Sequence, residues 1–273
     1  MISKLRYIFV VLFKTILNER FLIKSLIKRD ISSRYKGSIL GVLWSLINPL
    51  IMLAVYTFVF SVVFKARWAG GSGSKTEFAL LLFSGLIIFN IFADCINRAP
   101  LLITSNPNFV KKVVFPIEIL PIVTMGSALF QFLMGFIVWL LFYLVFFGFP
   151  TIKILLLPFT IFPLILFSLG LTWFIASLGV YIKDIAQMTG VITTVLLFLS
   201  PIFYSIKMLP DFFQKIMLLN PLTFIIESSR NVMIWDVGIN WHDYLIQILI
   251  SIIVFILGYM FFMRTKKGFS DVL

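Results

Sequence analysis

Long runs without a charged residue divide the chain into segments of membrane-spanning length. A helix needs about 20 mostly apolar residues to cross the hydrocarbon core of a bilayer. The uncharged window 119–152 is too long for one helix, and Phe149-Pro150 is expected to end that helix near residue 148. The pattern therefore predicts an all-α integral membrane fold with six transmembrane helices, at approximately 37–64, 78–97, 119–148, 154–182, 185–206 and 244–263.

Between the last two predicted spans, one further apolar stretch is too short to cross. Residues 216–226 form a run of 11 that contains Asn220-Pro221. Apolar segments of this length are typical of re-entrant or surface helices. We therefore expect a short helical hairpin over 209–235, on the outer side of the membrane.

The segment before the first span, 1–36, carries two coordinated helical faces. Basic residues recur every four positions, and apolar residues recur at i, i+3, i+4 and i+8 on another face: Arg20, Lys24 and Lys28, and Ile23, Leu26, Ile27 and Ile31. This periodicity predicts an amphipathic helix that lies in the membrane interface. A solvated run of charges would explain the basic stripe but not the apolar one.

Composition and charge place the chain in a membrane and orient it there. Only 12% of the 273 residues are charged and 61% are hydrophobic, against roughly 25% charged in a soluble domain. With the N-terminus inside, the cytoplasmic segments hold 16 of the 23 Lys and Arg residues. The positive-inside rule then predicts a cytoplasmic region 1–36, a transmembrane domain 37–264 and a cytoplasmic tail 265–273. Despite the net charge of +12, we do not expect the chain to bind nucleic acid, because such binding needs a solvated basic face.

Few groups in the sequence are suited to catalysis or cofactor binding. The stretch AGGSGSKTE (69–77) approaches a phosphate-binding loop, but Ala69 and Ser74 stand where that motif requires glycine. We interpret it as a flexible linker and expect no ATP site in this chain. One Cys and one His exclude a His/Cys metal cluster within the chain, and the 11 acidic residues are scattered singly. We therefore expect a non-enzymatic chain without its own metal or cofactor.

The middle of each predicted span is free of charge, which argues against coupling to an ion gradient. Backbone carbonyls can also bind sodium, so an ion-coupled transporter stays open. Asp94 and Arg98 lie one helical turn apart at a span end and are expected to pair with each other.

Two prolines interrupt predicted spans. Pro49 follows Asn48 near the middle of the first span, and Pro201 closes the fifth. Each proline removes a backbone hydrogen bond, and the two interpretations are a static kink or a hinge. Most aromatic residues are expected to face lipid or anchor the interfaces. Trp44 and Tyr56 in the first span are also candidates for stacking surfaces in a pore that passes sugars.

Three blocks of sequence carry a resemblance to a known family. They are RDISSRYKGSILGVLWSLINPLIMLAVYTFVFSVVFK at 29–65, YIKDIAQ at 181–187 and SPIFYSIKMLPDFFQKIMLLNPLTFIIESSR at 200–230. In this order and spacing, the chain resembles the permease subunit of bacterial type-2-family ABC exporters, in the polysaccharide branch. O-antigen and teichoic-acid members look more similar than capsular ones because of the RYKGSxLGxLWSxxNPL string.

The resemblance implies partners and a cargo. Two copies of the chain would pair with two copies of a separate ATPase subunit, which would bind ATP and magnesium. The cargo would be a glycan on undecaprenyl pyrophosphate, exported from the cytoplasm across the bacterial inner membrane. Basic residues before the first span are candidates to attract the lipid headgroup: Arg29, Arg34 and Lys36.

The resemblance also implies roles for three groups of residues. Loop 98–118 would dock on the ATPase, with coupling candidates Asn106, Asn108, Phe109, Lys111 and Lys112, and with Lys183 and Asp184 near the same surface. The first and fifth spans would form a lateral opening and channel, with candidates Trp44, Asn48, Pro49, Tyr56, Pro201 and Tyr204. The outer hairpin would form a periplasmic gate, with candidates Pro210, Asn220, Pro221, Glu227 and Arg230.

Three alternatives stay open at this point. One is an exporter of the same family whose cargo is a drug or a small lipid. The second is an ion-coupled transporter or channel that needs no ATPase. The third is a membrane glycosyltransferase or phosphotransferase, which would turn over substrate by itself.

Overall fold

The computed structural model describes residues 12–63, 68, 71, 73–110 and 115–272. Within these ranges the chain is helical or irregular and forms no strand. Residues 12–18 are helical and lead through a turn into the first long helix. The helices of eight residues or more are α1 Arg20–Arg34, α2 Trp44–Tyr56, α3 Lys75–Arg98, α4 Leu120–Phe147, α5 Leu157–Tyr181, α6 Ile185–Phe198, α7 Asp211–Leu218, α8 Pro221–Met233 and α9 Trp241–Thr265.

Five helical stretches of the described chain are long and apolar enough to cross a membrane. With their flanking turns they cover Gly41–Phe60, Lys75–Leu101, Ile117–Phe147, Ile152–Tyr181 and Trp241–Val272. Helix α4 stops before Gly148, which has a φ of +79°, at the position where a helix end was expected. Glycine adopts that left-handed conformation without a Cβ clash.

The expected spanning helix at 185–206 is wrong in extent. Helix α6 has 14 residues and ends at Phe198, so at 1.5 Å per residue it is shorter than the roughly 30 Å core of a bilayer. Residues 199–205 continue as turns, and the Tyr204 hydroxyl donates a 2.8 Å hydrogen bond to the carbonyl of Phe198. Pro201 has no N–H to continue the helix.

The first span is also irregular. It begins with a tight helical turn at Gly41–Leu43 instead of residue 37, contains Pro49 inside α2, and continues as a π-helix over Thr57–Val63. One side of α2 is exposed and apolar, including Leu50, Ile51, Met52 and Val55.

Helix α3 is the centre of the bundle. It packs against α4, α5, α6 and α8, and every residue from Glu77 to Phe89 is buried. Trp139 of α4 donates a 3.2 Å hydrogen bond to the carbonyl of Leu80 and so reaches the backbone of α3. We use α3 to name the two ends of the bundle: the Arg98 end, where α3 stops, and the Arg230 end, near its start.

Glycines allow α5 and α9 to approach closely. A Cβ added to Gly258 would overlap the backbone carbonyl of Gly170, and one added to Gly170 would lie 2.5 Å from the carbonyl oxygen of Val254. Small residues at such crossings bring two helix backbones into contact, which is a common way of packing helices in membranes.

Helix α1 packs against α4 at the Arg98 end. Ile23 and Leu26 are buried against Ile119 and Val123, and the Ile27 side chain occupies the space beside Gly126 that a Cβ would fill. The basic residues of the second face, Arg20, Lys24 and Lys28, are exposed. The apolar residues Ile23 and Leu26 of α1 therefore contact protein.

Residues 209–235 contain two short helices, α7 and α8, joined by Leu219 and Asn220. The Asn220 side chain accepts a 3.0 Å hydrogen bond from the Leu222 N–H and caps α8. Helix α7 is largely exposed, whereas α8 is largely buried and packs against α3 and α5.

Candidate functional site

Four charged side chains form one network at the Arg98 end. Arg98 Nη2 donates to Asp30 Oδ1 at 2.6 Å, and Arg34 Nη2 donates to Asp94 Oδ2 at 2.5 Å. The expected pairing of Asp94 with Arg98 is the longer contact, 3.7 Å. That pairing is confirmed, and each of these two residues also has a shorter ion pair with α1. The network therefore fixes α1 to the end of α3.

The network also holds Asp30 in its ionised form. Partial burial acts to raise the pKa of this carboxyl, but the hydrogen bond from Arg98 and the charges of Arg98 and Arg34 outweigh it. The pKa of Asp30 therefore lies below its ordinary value. Sequence analysis did not single out Asp30. Its spacing of four from Arg34, a helical ion-pair spacing, was the available signal.

Some of the coupling-loop candidates pack against other residues, and others are exposed. The ring of Phe109 stacks on Phe115 with centroids 4.2 Å apart, and the Arg29 guanidinium lies 5.5 Å from the Phe109 centroid. Asn106 is partly buried and donates a 3.0 Å hydrogen bond to the carbonyl of Leu102. Asn108, Lys183 and Asp184 are exposed, and Lys111 and Lys112 lie outside the described residues.

The headgroup candidates differ in their surroundings. Arg34 is committed to Asp94 and lies 3.8 Å from Asp30. Arg29 and Lys36 are exposed. Arg29 also borders a cavity of about 470 Å³ at the Arg98 end, together with Asp30, Asn97 and Arg98.

A second cavity, of about 450 Å³, opens between α2, α3, α4 and α6. We call it the amide groove, because its lining includes Asn48, Asn90, Asn97 and Gln131. Pro49 and Tyr56, both channel candidates, also line it, whereas Trp44 does not belong to its described lining. Asn90, Asn97 and Gln131 carry no signal in the charge pattern of the sequence, because uncharged polar residues do not interrupt a charge-free window.

Pro201 and Tyr204 lie beyond the groove, towards the Arg230 end. Pro201 is buried, and the neighbouring Phe203 ring stacks on Phe60 with centroids 5.3 Å apart. Phe203 also lies 6.4 Å from the ring of Tyr56. The segment that follows α6 is therefore packed directly on the π-helical part of the first span.

Arg230 of α8 is fully buried and connects four separate segments. Its Nε donates to the Leu81 carbonyl at 3.0 Å and its Nη2 to the Ile202 carbonyl at 3.0 Å. Its Nη1 donates to the Pro201 carbonyl and, at 2.9 Å, to Glu227. The guanidinium carbon lies 4.4 Å from the ring centroid of Trp68.

Burial lowers the pKa of Arg230 to about 10, while Glu227 acts to raise it. The side chain therefore stays a cation at neutral pH, with Glu227 and three backbone carbonyl oxygens as its hydrogen-bond acceptors. Two other gate candidates have less contact with the core: Pro210 is exposed at the start of α7, and Pro221 is half-buried at the start of α8.

These observations define a class of protein. Long apolar helices surround a buried central helix, and the charged contacts lie at two ends of the bundle, so the chain is a multi-pass helical membrane protein. Residues 21–234 match the model of the ABC-2 type transporter family, and the chain belongs to that family.

Several relatives cover most of the chain. An O-antigen export system permease protein RfbA of Klebsiella pneumoniae is 26% identical over 90% of this chain and 92% of its own length. RfbA of Myxococcus xanthus is 26% identical over 78% of this chain and 80% of its own length. The polysialic acid transport protein KpsM of Escherichia coli is 25% identical over 78% and 81%, respectively. The resemblance proposed from the sequence blocks is therefore confirmed.

Proposed function

We propose that this chain is the transmembrane subunit of an ATP-driven exporter that moves a lipid-linked polysaccharide, such as O-antigen or teichoic acid, from the cytoplasm across the bacterial inner membrane. The observation that carries the proposal is the similarity to O-antigen export permeases over nine-tenths of the chain. The amide groove supports it further, because amide and aromatic side chains are suited to binding sugars.

The proposed topology has six crossings with both termini in the cytoplasm. The Arg98 end would then be cytoplasmic and the Arg230 end periplasmic. The distribution of Lys and Arg supports this orientation. Segment 185–206 would cross as α6 followed by the turns at 199–205, α1 would lie along the cytoplasmic interface, and α7 and α8 would form the periplasmic gate hairpin.

We further propose an assembly of two copies of this chain with two ATPase subunits that bind ATP and magnesium. The exposed apolar faces of α2 and α6 support contact between copies, and they include Met52 and Val55, and Val191 and Val195. Loop 98–118, with Lys183 and Asp184, would contact the ATPase. Phe109 of that loop contacts the guanidinium of Arg29 in α1, so the loop and α1 are in direct contact.

In the proposed cycle, ATP-driven closure of the ATPase moves the coupling loop, and α2 shifts against α6. The lipid pyrophosphate would be attracted by Arg29 and Lys36. Arg34 is paired with Asp94 at 2.5 Å. It would bind the phosphate together with Arg29 and Lys36 only after it releases Asp94.

Reconstitution tests this function. The chain and its ATPase, purified together, are placed in liposomes that contain a fluorescently labelled undecaprenyl-pyrophosphate glycan, and translocation is measured with ATP. The matched control carries an ATPase variant that binds but does not hydrolyse ATP. We expect translocation only with the active ATPase. Transport that follows an imposed ion gradient without ATP would contradict the proposal, as would transport of a labelled phospholipid or drug in place of the glycan.

A further inference from the structure

We infer that the amide groove is the binding site for the uncharged, hydroxyl-bearing part of the cargo, and that Asn90 and Asn97 are its central ligands, with Asn48 across from them. This inference rests on the proposed function. It specifies which part of a lipid-linked glycan the groove takes, and it names binding residues outside the first and fifth spans.

The first observation concerns exposure along α3. In this otherwise buried helix, Lys75 is exposed at the start, and Asn90 and Asn97 are the other exposed residues. Their spacing of seven places them on one face, and the small, half-buried Ala93 lies between them. The most enclosed helix of the bundle thus presents one open stripe, and that stripe is made of amides.

The second observation is that these amides have unused hydrogen-bonding groups. Among the residues that the structure describes, no side chain bonds to the amides of Asn48 or Asn90. Asn97 Oδ1 accepts a 2.9 Å hydrogen bond from the Thr193 hydroxyl, which leaves its NH2 group free within the same ranges. An amide facing hydrocarbon without a partner costs free energy. These groups therefore face water or a polar ligand.

The lining also determines the chemistry of the ligand. None of the residues described as lining the groove is charged. Amides and threonine hydroxyls both donate and accept hydrogen bonds, as sugar hydroxyls do, and the Tyr56 and Phe132 rings offer apolar surfaces for the C–H faces of a sugar. A pyrophosphate would find no cation here, so an uncharged glycan segment is the matching ligand.

The groove and the charged end of the bundle adjoin. Asn97 lines both the amide groove and the cavity that contains Arg29 and Arg98. A lipid-linked glycan has an anionic pyrophosphate joined directly to its first sugars. The cavity has one cation more than it has anions among its described lining, because Asp30 pairs with Arg98 and Arg29 remains. A cavity with this excess cation beside a neutral amide groove has the same order of chemistry, with Asn97 at the boundary.

Cysteine accessibility tests whether the groove is aqueous. The native Cys95 is buried, so a Cys95→Ala background leaves the introduced thiols as the only ones. Asn90→Cys and Asn97→Cys are treated with a membrane-impermeant methanethiosulfonate in nanodiscs. The control is Leu133→Cys in α4. Leu133 is exposed and lies two residues before Gly135. Gly135 contacts Ile87 of α3, three residues before Asn90, so Leu133 and Asn90 lie at a similar position along the bundle axis.

We expect rapid labelling at positions 90 and 97 and little at position 133. Equal labelling at all three positions, or none at 90 and 97, would overturn the inference. A disulfide that forms spontaneously between two copies of the Asn90→Cys chain would also overturn it, because the stripe would then be a contact between copies.

Transport tests the ligand role. In the reconstituted transporter, Asn90→Leu should lower translocation of an uncharged lipid-linked glycan about fivefold, as expected for one lost hydrogen bond. Asn90→Ser, which keeps a donor and an acceptor, should restore most of the rate, and Leu133→Ala should match the wild type. Wild-type rates for Asn90→Leu would overturn the groove inference while leaving the proposed function standing. No glycan transport by the wild type would overturn both.

Discussion

Arg98 Nη2 lies 2.6 Å from Asp30 Oδ1, so the last turn of α3 is held to helix α1 by an ion pair. Both side chains are about one-quarter exposed, and Asp94 and Arg34 extend the same network. The network therefore links α1, which carries Arg29, to the end of α3 on which Asn97 lies.

The first prediction concerns this ion pair. Asp30→Asn should lower the free energy of unfolding by about 1 kcal/mol, because partly exposed ion pairs contribute little individually and this one belongs to a network. Thermal unfolding in detergent measures the effect. The exposed Asp184→Asn is the control and should leave the melting temperature unchanged.

The second prediction concerns pH. The pKa of Asp30 in the folded chain lies below its ordinary value of 3.8. Its contribution to stability is therefore complete above pH 3.8 and is lost as pH falls through the lower, folded value. The difference in melting temperature between wild type and Asp30→Asn should be constant near about pH 5 and shrink at more acid pH. A difference that grows on acidification would contradict the assigned direction.

Substitution of Arg230 should destabilise the fold strongly. Arg230→Met leaves the carbonyls of Leu81 and Ile202 without a donor and should cost about 2–4 kcal/mol. Arg230→Lys should restore little, because one ammonium cannot reproduce the fork of a guanidinium. The exposed Lys215→Met in α7 is the matched control. Equal melting temperatures for Arg230→Met and Lys215→Met would contradict the connecting role of Arg230.

The glycine contact between α5 and α9 yields a prediction with an internal control. Gly258→Ala places a methyl group on the backbone of Gly170 and should destabilise the fold by about 1–3 kcal/mol. Gly190→Ala in α6 meets open space and should stabilise by about 0.5–1 kcal/mol, because alanine favours the helix. Unfolding midpoints of both variants check the opposite signs. A neutral Gly258→Ala would mean that the two helices can separate without cost.

Charge reversal separates headgroup binding from the ion-pair network. Lys36→Glu changes an exposed cation and should lower export with no change in melting temperature, if the headgroup is attracted there. Arg34→Glu should lower both, because it also breaks the pair with Asp94. Reconstituted transport and thermal unfolding, measured on the same preparations, provide the two readouts. Unchanged export with Lys36→Glu would remove Lys36 from the headgroup site.

Much of the architecture followed from local patterns. The two faces of α1 and the end of α4 before Phe149-Pro150 were predicted from residues close in sequence. In both cases a short-range rule, helical periodicity or the restriction before proline, determines the outcome. The helix predicted over 185–206 ends earlier, at Phe198, because apolar composition does not reveal that the residues around Pro201 leave the helix to contact Arg230.

The residues of the candidate site could be predicted only in part from local sequence patterns. Asn48 and Pro49 were recognised as an interruption of the first span, and Tyr56 as an aromatic residue within it. Asn90 and Asn97 carry no charge and belong to an apolar window. Asp94 was assigned to Arg98, one turn away, although its shorter partner is Arg34 of α1. Pairs within a helix can be inferred from spacing, but pairs between helices depend on which surfaces pack together.

From the sequence alone, the class of protein and the resemblance to its family could be recognised, because these depend on composition, periodicity and the order of residue blocks along one chain. Only the tertiary structure decided that Arg98 pairs with Asp30, that Arg230 connects four segments, and that neutral amides converge in one groove. The physical reason is that ion pairs and hydrogen bonds form between whichever polar groups packing brings within about 3 Å.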